Sequence, residues 1–321
     1  MELPKLWLVS PIYFDVPAFS RLREELLAEM RPHVGTAVGG VRFLAVDDSA
    51  GLDPQIDQLR GFADTVVVEP AFNLGHQRAI VYALRGARFA DGDYVVTLDA
   101  DGEDRPQDLP RLLAPLIESE GDRRKMAIAI RTWRRESPVF KLLYFFFKIA
   151  FRALTGVTVR SGNYAAYRGW LAKRILTHPH FDLCYSSALI SLKVPFEGVP
   201  CPRGARYAGK SKMGYLGLML HGLRMLMPFT DRIAVRALVA FSIVFGLGVA
   251  SALVVVGVRL GTQLAIPGWA TSTLLLVLIL SFVALGNFVV LIVIFSQSRG
   301  IALNNFEEPF GRARDPSPPA D

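Results

Sequence analysis

Residues 94–104 read YVVTLDADGED, a run of β-branched and aromatic residues followed directly by four closely spaced acids. The apolar run predicts a buried strand that ends at Leu98. Acids spaced by one residue after a strand, as at Asp99, Asp101 and Glu103, can place several oxygens around one hard cation, Mg²⁺ or Mn²⁺, that bridges a ligand's diphosphate. The alternative is ordinary turn chemistry, since Asp and Gly follow many strands.

The segments around this strand repeat the same organisation. Short apolar runs predict further strands, and helical periodicity between them predicts helices. This alternation predicts a mainly parallel α/β sheet, in which ligands bind beyond the carboxyl ends of the strands. The predicted strands are Leu6–Ser10, Val41–Val46, Asp64–Glu69, Tyr94–Leu98 and Met126–Ile130, and the predicted helices are Phe19–Met30 and His76–Arg88. The polar segments at the predicted strand ends are Pro11–Asp15, Asp47–Ser49, Asn73–Gly75 and Asp99–Asp101.

The composition indicates a water-facing domain combined with a membrane part. Over its 321 residues, the chain is 51% hydrophobic and 20% charged, with a mean hydropathy of +0.32. These values exclude a disordered chain, a collagen-like chain and a small disulfide-framed protein. The two cysteines, Cys184 and Cys201, show no metal-ligand spacing, which favours a reducing compartment. The sequence contains neither G-x-G-x-x-G nor a Walker loop, which argues against dehydrogenases and P-loop enzymes.

Two long uncharged segments predict membrane spans. No charged residue occurs in residues 237–258 or 260–298, and each segment exceeds the roughly 20 residues that cross a bilayer. We place the spans at about 237–258 and 270–295, with a buried helix of a soluble protein as the alternative. Cations flank the pair, and the connecting loop carries only Arg259, which puts the catalytic domain and both termini in the cytoplasm. Residues 1–4 lack a basic start, so no cleavable signal peptide is predicted.

The net charge of +7 is distributed unevenly. Residues 123–174 hold thirteen basic residues and one acid, so they carry +12 and the rest of the chain carries −5. Within this block, residues 138–152 interleave aromatics with Lys and Arg, which predicts a helix on anionic lipid; a helix in the soluble core is the alternative. Residues 213–233 predict a second interfacial helix, and 298–321 a cytoplasmic tail that is disordered at its end. We therefore expect membrane lipids, and no nucleic acid, as partners of the basic block.

Taken in order, five motifs resemble those of family 2 glycosyltransferases with the GT-A fold, and most closely the polyprenyl-phosphate glycosyltransferases. The resemblance covers nearly the whole chain and rests on the order of the motifs, since each alone is weak. The motifs are Pro11–Asp15 for the family's P-x-Y-N-E, Val46–Ser49 for V-D-D-G-S, Asn73–Ala79 for N-x-G-x-x-x-A, Leu98–Asp101 for L-D-A-D and Arg206–Lys212 for R-x-x-G-x-S-K.

The resemblance implies a Rossmann-like GT-A domain over residues 1–212, followed by interfacial helices and two transmembrane helices. It implies an inverting transfer from a UDP- or GDP-linked sugar to polyprenyl phosphate at the inner membrane, for envelope glycans, with Mg²⁺ or Mn²⁺. Relatives form oligomers, so a homo-oligomer is compatible with it. The implied donor-binding residues are Pro11, Tyr13, Asp15, Asp47, Asp48, Asn73, Gly75 and Ala100. The implied metal ligands are Asp99, Asp101 and Glu103, and the implied lipid-phosphate ligands are Arg206, Ser211 and Lys212.

The expected acceptor shapes the remaining assignments. A phosphate is already ionised near neutral pH, so the site needs cations that hold it more than it needs a general base. Arg131 follows a predicted strand and is such a cation, and we group it with Asp99 and Asp101 as catalytic.

Departures from the family pattern leave two alternatives open. Glu103 stands where the family often has Gln, and residues 160–164, RSGNY, lack both acids of the common D-x-G-D-F. The missing acids count against a hydroxyl acceptor, which would need a base, and the missing Q-x-x-R-W argues against a polysaccharide synthase. The alternatives are a glycosyltransferase with a different lipid acceptor and a non-catalytic membrane scaffold that retains the nucleotide-sugar fold.

Overall fold

The structure, a computed structural model, describes residues 3–119, 122–131, 138–158, 161–208, 215–262 and 268–297. The described residues form two compact units. The first contains residues of Met1–Lys148 and Thr158–Pro228, and the second contains residues of Ile149–Val157 and Phe229–Ala302. The predicted tail at 298–321 and the predicted phosphate ligands Ser211 and Lys212 lie outside the described residues.

The first unit is built on a seven-stranded sheet with the order β3-β2-β1-β4-β6-β5-β7. Strands β1 to β4 are parallel, β6 runs antiparallel to both of its neighbours, and β5 and β7 are parallel. The predicted α/β class with a mainly parallel sheet is therefore confirmed. The strands are β1 (Lys5–Ile12), β2 (Gly40–Asp47), β3 (Thr65–Val68), β4 (Tyr94–Thr97), β5 (Met126–Arg131), β6 (Ser161–Arg168) and β7 (Phe196–Cys201).

Helices cover both faces of the sheet. Apolar side chains of α1 and α4, such as Phe19 and Leu112, pack on one face, and those of α3 and α7, such as Ile80 and Leu189, pack on the other. Burying these side chains on both faces supplies the hydrophobic stabilisation of the unit. The α-helices are α1 (Val16–Met30), α2 (Asp57–Arg60), α3 (His76–Gly86), α4 (Leu109–Glu118), α5 (Pro138–Thr155), α6 (Gly169–Ile175), α7 (Tyr185–Ser191), α8 (Tyr215–Leu226), α9 (Thr230–Gly261) and α10 (Trp269–Gln297).

The differences from the predicted boundaries have local causes. Helix α1 begins three residues before the predicted Phe19, because Pro17 lies in the first turn, where its missing N–H leaves no helical hydrogen bond unmade. Strands β6 and β7 were not predicted from the sequence. Strand β7 lies at the sheet edge and contains Gly198 and Pro200, residues that weaken a strand signal but are tolerated at an edge.

The register of the sheet brings the carboxyl ends of β2 and β4 and the amino end of β6 to the same edge. Parallel pairing sets Ile12 beside Asp47, so the loops after β1 and β2 leave the sheet together. Strand β6 runs in the opposite direction and pairs Ala165 with Thr97. Because antiparallel register moves in opposite directions along the two strands, the start of β6, at Asn163, reaches the residue that follows β4 by two positions, Asp99.

The second unit contains the two long apolar helices, α9 and α10. Among the residues that the structure describes, two helical segments are long and apolar enough to cross a membrane, Met219–Gly261 and Trp269–Leu291, and only 11% and 6% of their most apolar windows are buried. A core helix of a soluble protein is mostly buried, so the low burial favours the membrane interpretation of the spans predicted at about 237–258 and 270–295. Gly248 lies against Ser281, a close approach of the kind that small residues permit between apolar helices.

The segments predicted to lie at the membrane surface are helical. Residues 138–152 fall in α5, and residues 213–233 include α8 and the start of α9. Within the second unit, the Arg236 guanidinium donates to the carbonyl oxygens of Arg152 and Ala153 and so satisfies the last turn of α5. The position of α5 and α8 at a membrane surface stays a prediction.

Candidate active site

The acidic loop that follows β4 is folded around its own carboxylates. The Asp99 N–H donates to Asp104 Oδ2 at 3.0 Å, and the Glu103 N–H donates to Asp101 Oδ1 at 2.9 Å. Gly102 makes this turn possible with a φ of +81°, in the left-handed region. The loop therefore gathers four carboxyl groups at the carboxyl end of β4, as the spacing of the acids predicts.

Crowding and burial keep two of these acids from ionising readily. Burial, with repulsion from Asp99 and Glu103, raises the pKa of Asp101 to about 6. Burial, with repulsion from Asp99, raises the pKa of Asp104 to about 7 despite its contact with Arg131. The loop is thus a concentration of negative charge that a cation would stabilise.

Asp99 has three polar partners. The imidazole of His76 lies 2.8 Å from Asp99 Oδ1, the Asn163 amide donates to the same oxygen at 3.0 Å, and the Arg131 guanidinium lies 3.8 Å from Oδ2. Burial alone would raise the pKa of Asp99, but His76, Arg131 and Asn163 outweigh burial and hold that pKa well below its usual value. Asp99 is therefore an ionised carboxylate bound by protein side chains.

The amide of Asn163 is oriented by Gln77. Gln77 Nε2 donates to Asn163 Oδ1 at 2.7 Å, which leaves Asn163 Nδ2 to donate to Asp99. Gln77 Oε1 in turn accepts from the Ser186 N–H at 3.0 Å. His76 and Gln77 occupy the first turn of α3, so this helix end supplies two of the residues that organise Asp99.

Arg131 lies beside the acidic loop, and its catalytic role stays a prediction. Its guanidinium lies 3.5 Å from Asp104 Oδ1 in addition to its contact with Asp99, and its side chain is 15% exposed. Room for this guanidinium depends on Gly162, because a Cβ there would lie 2.4–2.9 Å from three guanidinium atoms of Arg131. The glycine of the RSGNY segment thus positions a cation.

The predicted donor residues after β2 are used largely to build the loop itself. Both carboxylate oxygens of Asp47 are engaged, since Oδ1 accepts from Ser49 and Oδ2 accepts from the Gly51 N–H at 2.8 Å. Asp48 Oδ1 accepts from the Leu74 N–H at 2.8 Å, and the Asn73 amide donates to the Asp48 carbonyl at 2.7 Å. Burial raises the pKa of Asp48. These bonds hold the loops after β2 and β3 together.

The other predicted donor residues lie on the same strand ends. Pro11 is in β1, and Asp15 stands just before α1, where its carbonyl accepts from the Phe19 N–H. Tyr13 is 43% exposed, and Ala100 is buried. Gly75 precedes α3 with a φ of +78°. Binding of a nucleotide sugar by these residues stays a prediction.

The loop after β7 supplies two further cations. Arg203 and Arg206 pair with the acidic loop, Arg203 with Glu103 and Arg206 with Asp101 at 2.6 Å. The prediction that Arg206 belongs to the site rested on its motif, whereas Arg203 carried no signal. His76, Gln77 and Asn163 were also missed as site residues, although they lie within quoted motifs, because their role depends on how β4, α3 and β6 meet.

The carboxylates suit a divalent metal chemically. Asp101 and Glu103 offer oxygens, the donors that Mg²⁺ and Mn²⁺ prefer, and both contact the same guanidinium, that of Arg206. In the parts of the chain that the structure describes, no three His, Cys, Asp or Glu side chains surround one metal position. The reason is visible in the contacts, since Asp99 is turned to His76 and Asn163 and the other acids are turned to arginines. Metal binding by Asp99, Asp101 and Glu103 stays a prediction.

Comparisons with known proteins show what the chain is similar to. Among solved structures, the chain is similar to S. aureus TarS 1-349, with 15% identity, a TM-score of 0.40 and coverage of 73% of this chain and 65% of that one. It is also similar to 4-diphosphocytidyl-2C-methyl-D-erythritol synthase, with 17% identity, a TM-score of 0.38 and coverage of 71% and 100%. The chain thus spans less than two thirds of the TarS structure. No curated protein matches.

A family model gives the more specific result. Residues 38–176 match the model of glycosyl transferase family 2. The matched range runs from just before β2 to just after α6, and it contains Asp48, Asp99 and Asn163. The similarity to glycosyl transferase family 2 thus covers residues 38–176, less than half of the chain.

Proposed function

We propose that this protein is a membrane-bound inverting glycosyltransferase that moves a sugar from a nucleotide-diphosphate sugar to a polyprenyl phosphate. The match of residues 38–176 to glycosyl transferase family 2 supports glycosyl transfer and, together with the α/β fold, a nucleotide-sugar donor. The observation that carries the finer proposal is the pairing of the acidic loop with Arg131, Arg203 and Arg206, which gathers phosphate-binding side chains where a diphosphate leaving group and a phosphate acceptor would meet.

The choice of a phosphate acceptor follows from the state of the described groups beside Asp99. Burial lowers the pKa of His76, but Asp99 outweighs burial and raises that pKa, which favours the imidazolium over the free base. Position 163 is Asn, whose amide is consumed by Asp99 and Gln77 and has no carboxylate to take a proton. Asp104 has a pKa of about 7, but it is 5% exposed and held by the Asp99 N–H and Arg131. A hydroxyl acceptor would need a base that reaches it, whereas an ionised phosphate needs only to be held and aligned.

The residues of the site divide the work by charge. Arg131 and Arg206 would hold phosphate oxygens, Arg206 with Ser211 and Lys212 on the acceptor, and the backbone loops at Asp48 and Asn73 would hold the nucleotide. Asp101 and Glu103, with Asp99 if its side chain turns, would hold the divalent ion. When bound, Mg²⁺ or Mn²⁺ supplies Lewis-acid neutralisation of the leaving diphosphate.

The membrane placement follows from the same proposal. A polyprenyl phosphate lies in the bilayer, and α9 and α10 are long and apolar enough to anchor the chain there. We infer an inner-membrane, multi-pass protein with the catalytic domain and both termini in the cytoplasm, in agreement with the flanking cations. A homo-oligomer formed through the membrane helices fits this proposal, as does a role in envelope glycan assembly.

The test is a transfer assay on the purified full chain. The protein is incubated with a panel of UDP- and GDP-sugars, Mn²⁺ and undecaprenyl phosphate, and lipid-linked sugar is separated from free nucleotide. A parallel arm replaces the lipid phosphate with undecaprenol, the matching hydroxyl. Asp101→Asn should abolish transfer, while Asp91→Asn, an exposed residue paired with Lys173, should not.

Each outcome of this assay separates the alternatives. Sugar on the phosphate supports the proposal, and sugar on undecaprenol alone would assign the different lipid acceptor. No product and no released nucleotide with any donor would favour the scaffold. Full activity in Asp101→Asn would refute the metal assignment.

A further inference from the structure

The guanidinium of Arg206 lies where the acidic loop would hold a metal ion. Its Nη2 is 2.6 Å from Asp101 Oδ2, and its Nε is 3.9 Å from Glu103 Oε1. Arg206 therefore contacts Asp101 and Glu103. The third predicted metal ligand, Asp99, instead contacts His76 and Asn163. The side chain is 24% exposed, so the pair is only partly screened by water.

The backbone around Arg206 is fastened to the acidic loop. The Tyr207 N–H donates to the Asp101 carbonyl at 2.9 Å, and the Gly204 N–H donates to the Glu103 carbonyl at 2.8 Å. Two glycines allow this approach, since a Cβ on Gly204 would lie 2.7 Å from the Gly102 carbonyl, and one on Gly102 would overlap the Tyr207 ring. Residues 203–207, which we name the arginine strap, thus lie directly over the acids.

The strap is also held from the opposite side. The Tyr207 hydroxyl donates to Glu25 on α1, and the Arg21 guanidinium lies over the Tyr207 ring at 4.2 Å from its centroid. These contacts fix the strap without using Asp101 or Glu103. The Arg206 side chain can therefore leave the acids while the strap backbone stays in place.

A divalent ion and this guanidinium exclude each other at Asp101. Mg²⁺ takes carboxylate oxygens at about 2.1 Å, and a second cation 2.6 Å from the same oxygen would face strong like-charge repulsion. Metal binding at Asp101 Oδ2 should therefore compete with the Arg206 contact. Its charge then needs another anion, and a phosphate accepts the paired N–H groups of an arginine well.

We propose that Arg206 is a place-holding cation, which neutralises Asp101, and Glu103 together with Arg203, in the absence of metal and is released by metal binding to take the acceptor phosphate. The second half of this inference rests on the proposed function, and the first half does not. It makes metal binding and phosphate binding mutually favourable, and by linkage each must raise the affinity for the other by the same factor.

The experiment measures metal affinity without catalysis. Free Mn²⁺ is followed by electron paramagnetic resonance as it is titrated into the full chain in detergent, for wild type, Arg206→Gln, Arg206→Lys and Arg111→Gln. Arg111, on α4, pairs with Asp108 three residues earlier and controls for the loss of a surface arginine. Each titration is repeated with farnesyl phosphate, a short polyprenyl phosphate, and with farnesol.

The place-holding role predicts that removing Arg206 strengthens Mn²⁺ binding. Arg206→Gln should bind Mn²⁺ on the order of tenfold more tightly than wild type, while Arg206→Lys and Arg111→Gln stay near the wild-type affinity. Farnesyl phosphate, and not farnesol, should tighten Mn²⁺ binding to wild type by roughly fivefold or more, and this effect should vanish in Arg206→Gln.

The opposite results overturn the inference. Equal or weaker Mn²⁺ binding in Arg206→Gln, with its melting temperature unchanged, would show that Arg206 does not compete with the metal. An unchanged Mn²⁺ affinity of wild type with farnesyl phosphate would refute its release to the acceptor. Since these titrations involve no sugar donor, failure of the transfer assay alone would refute the proposed function and leave the competition intact.

Discussion

Replacing Gly162 by Ala should move Arg131 without disturbing the sheet. The added Cβ would lie 2.4 Å from Arg131 Nη2, 2.6 Å from Cζ and 2.9 Å from Nε. Only the end of a flexible side chain is in the way, and the backbone of Gly162 is not in the left-handed region. The guanidinium must therefore retreat by about 1 Å to reach ordinary van der Waals contact.

This retreat weakens both ion pairs of Arg131. Its separations from Asp104 and Asp99, 3.5 and 3.8 Å, would each grow by that amount. Coulomb's law with an effective dielectric constant of about 20 gives a loss of about 1 kcal/mol for each pair. If one phosphate contact that Arg131 makes in the transition state loses a similar amount, about 1 kcal/mol corresponds to a roughly fivefold lower kcat/KM.

The chain offers a matched control in the neighbouring strand. Gly198 lies in β7, and a Cβ there would lie 2.9 Å from Ile130 Cγ1. Gly198→Ala therefore crowds the apolar neighbour of Arg131 in β5 and moves no charge. Transfer to undecaprenyl phosphate and thermal unfolding are measured for both variants. We expect similar melting temperatures for the two variants, with kcat/KM lowered only in Gly162→Ala. Wild-type kcat/KM in Gly162→Ala, or an equal loss in Gly198→Ala, would refute the reasoning.

Three further substitutions or conditions test other parts of the site. Gln77→Leu removes the partner of Asn163 Oδ1 and of the Ser186 N–H, so thermal unfolding should show a loss of about 1–3 kcal/mol, whereas retention of full stability would contradict this role. Asp47→Asn offers one acceptor oxygen in place of two, so nucleotide affinity measured by calorimetry should fall at least severalfold. The pKa of Asp101, about 6, predicts Mn²⁺ binding that strengthens as pH rises from 5 to 7, because the metal binds the deprotonated carboxylate. A Mn²⁺ affinity, measured by electron paramagnetic resonance, that does not change between pH 5 and 7 would exclude Asp101 as a ligand.

The parallel half of the sheet could be predicted from sequence because its strands are continuous apolar runs. Strands β1, β2 and β4 lie within two residues of the predicted boundaries, since buried parallel strands carry their signal in composition. Strand β6 reads SGNYAAYR, with small and polar residues, and pairs with β4 and β5 only through tertiary context. Its absence from the prediction follows from the weak local signal of such a strand.

The features of the site also differ in how far they could be predicted from local sequence. The closeness of Asp99 and Asp101 could be predicted because their spacing is local, and the position of Arg131 at a strand end could be predicted because it follows an apolar run. The contact of Asn163 with Asp99 joins residues 64 positions apart and depends on the pairing of Thr97 with Ala165. Residue spacing along the chain contains no information about such a register.

The contacts around the acidic loop also change the meaning of its charges. From sequence, Asp99, Asp101 and Glu103 indicate a metal site. In the structure, these acids and Asp104 already face basic side chains: His76 for Asp99, Arg206 for Asp101, Arg203 for Glu103 and Arg131 for Asp104. Burial lowers the pKa of His76, but Asp99 outweighs burial and raises it, which favours the imidazolium cation. A metal ion would therefore exchange with protein cations already in place. Because three of these four cations are arginines, which keep their charge at any working pH, the exchange releases groups able to bind phosphate. Metal affinity and phosphate affinity in this protein should accordingly be measured together.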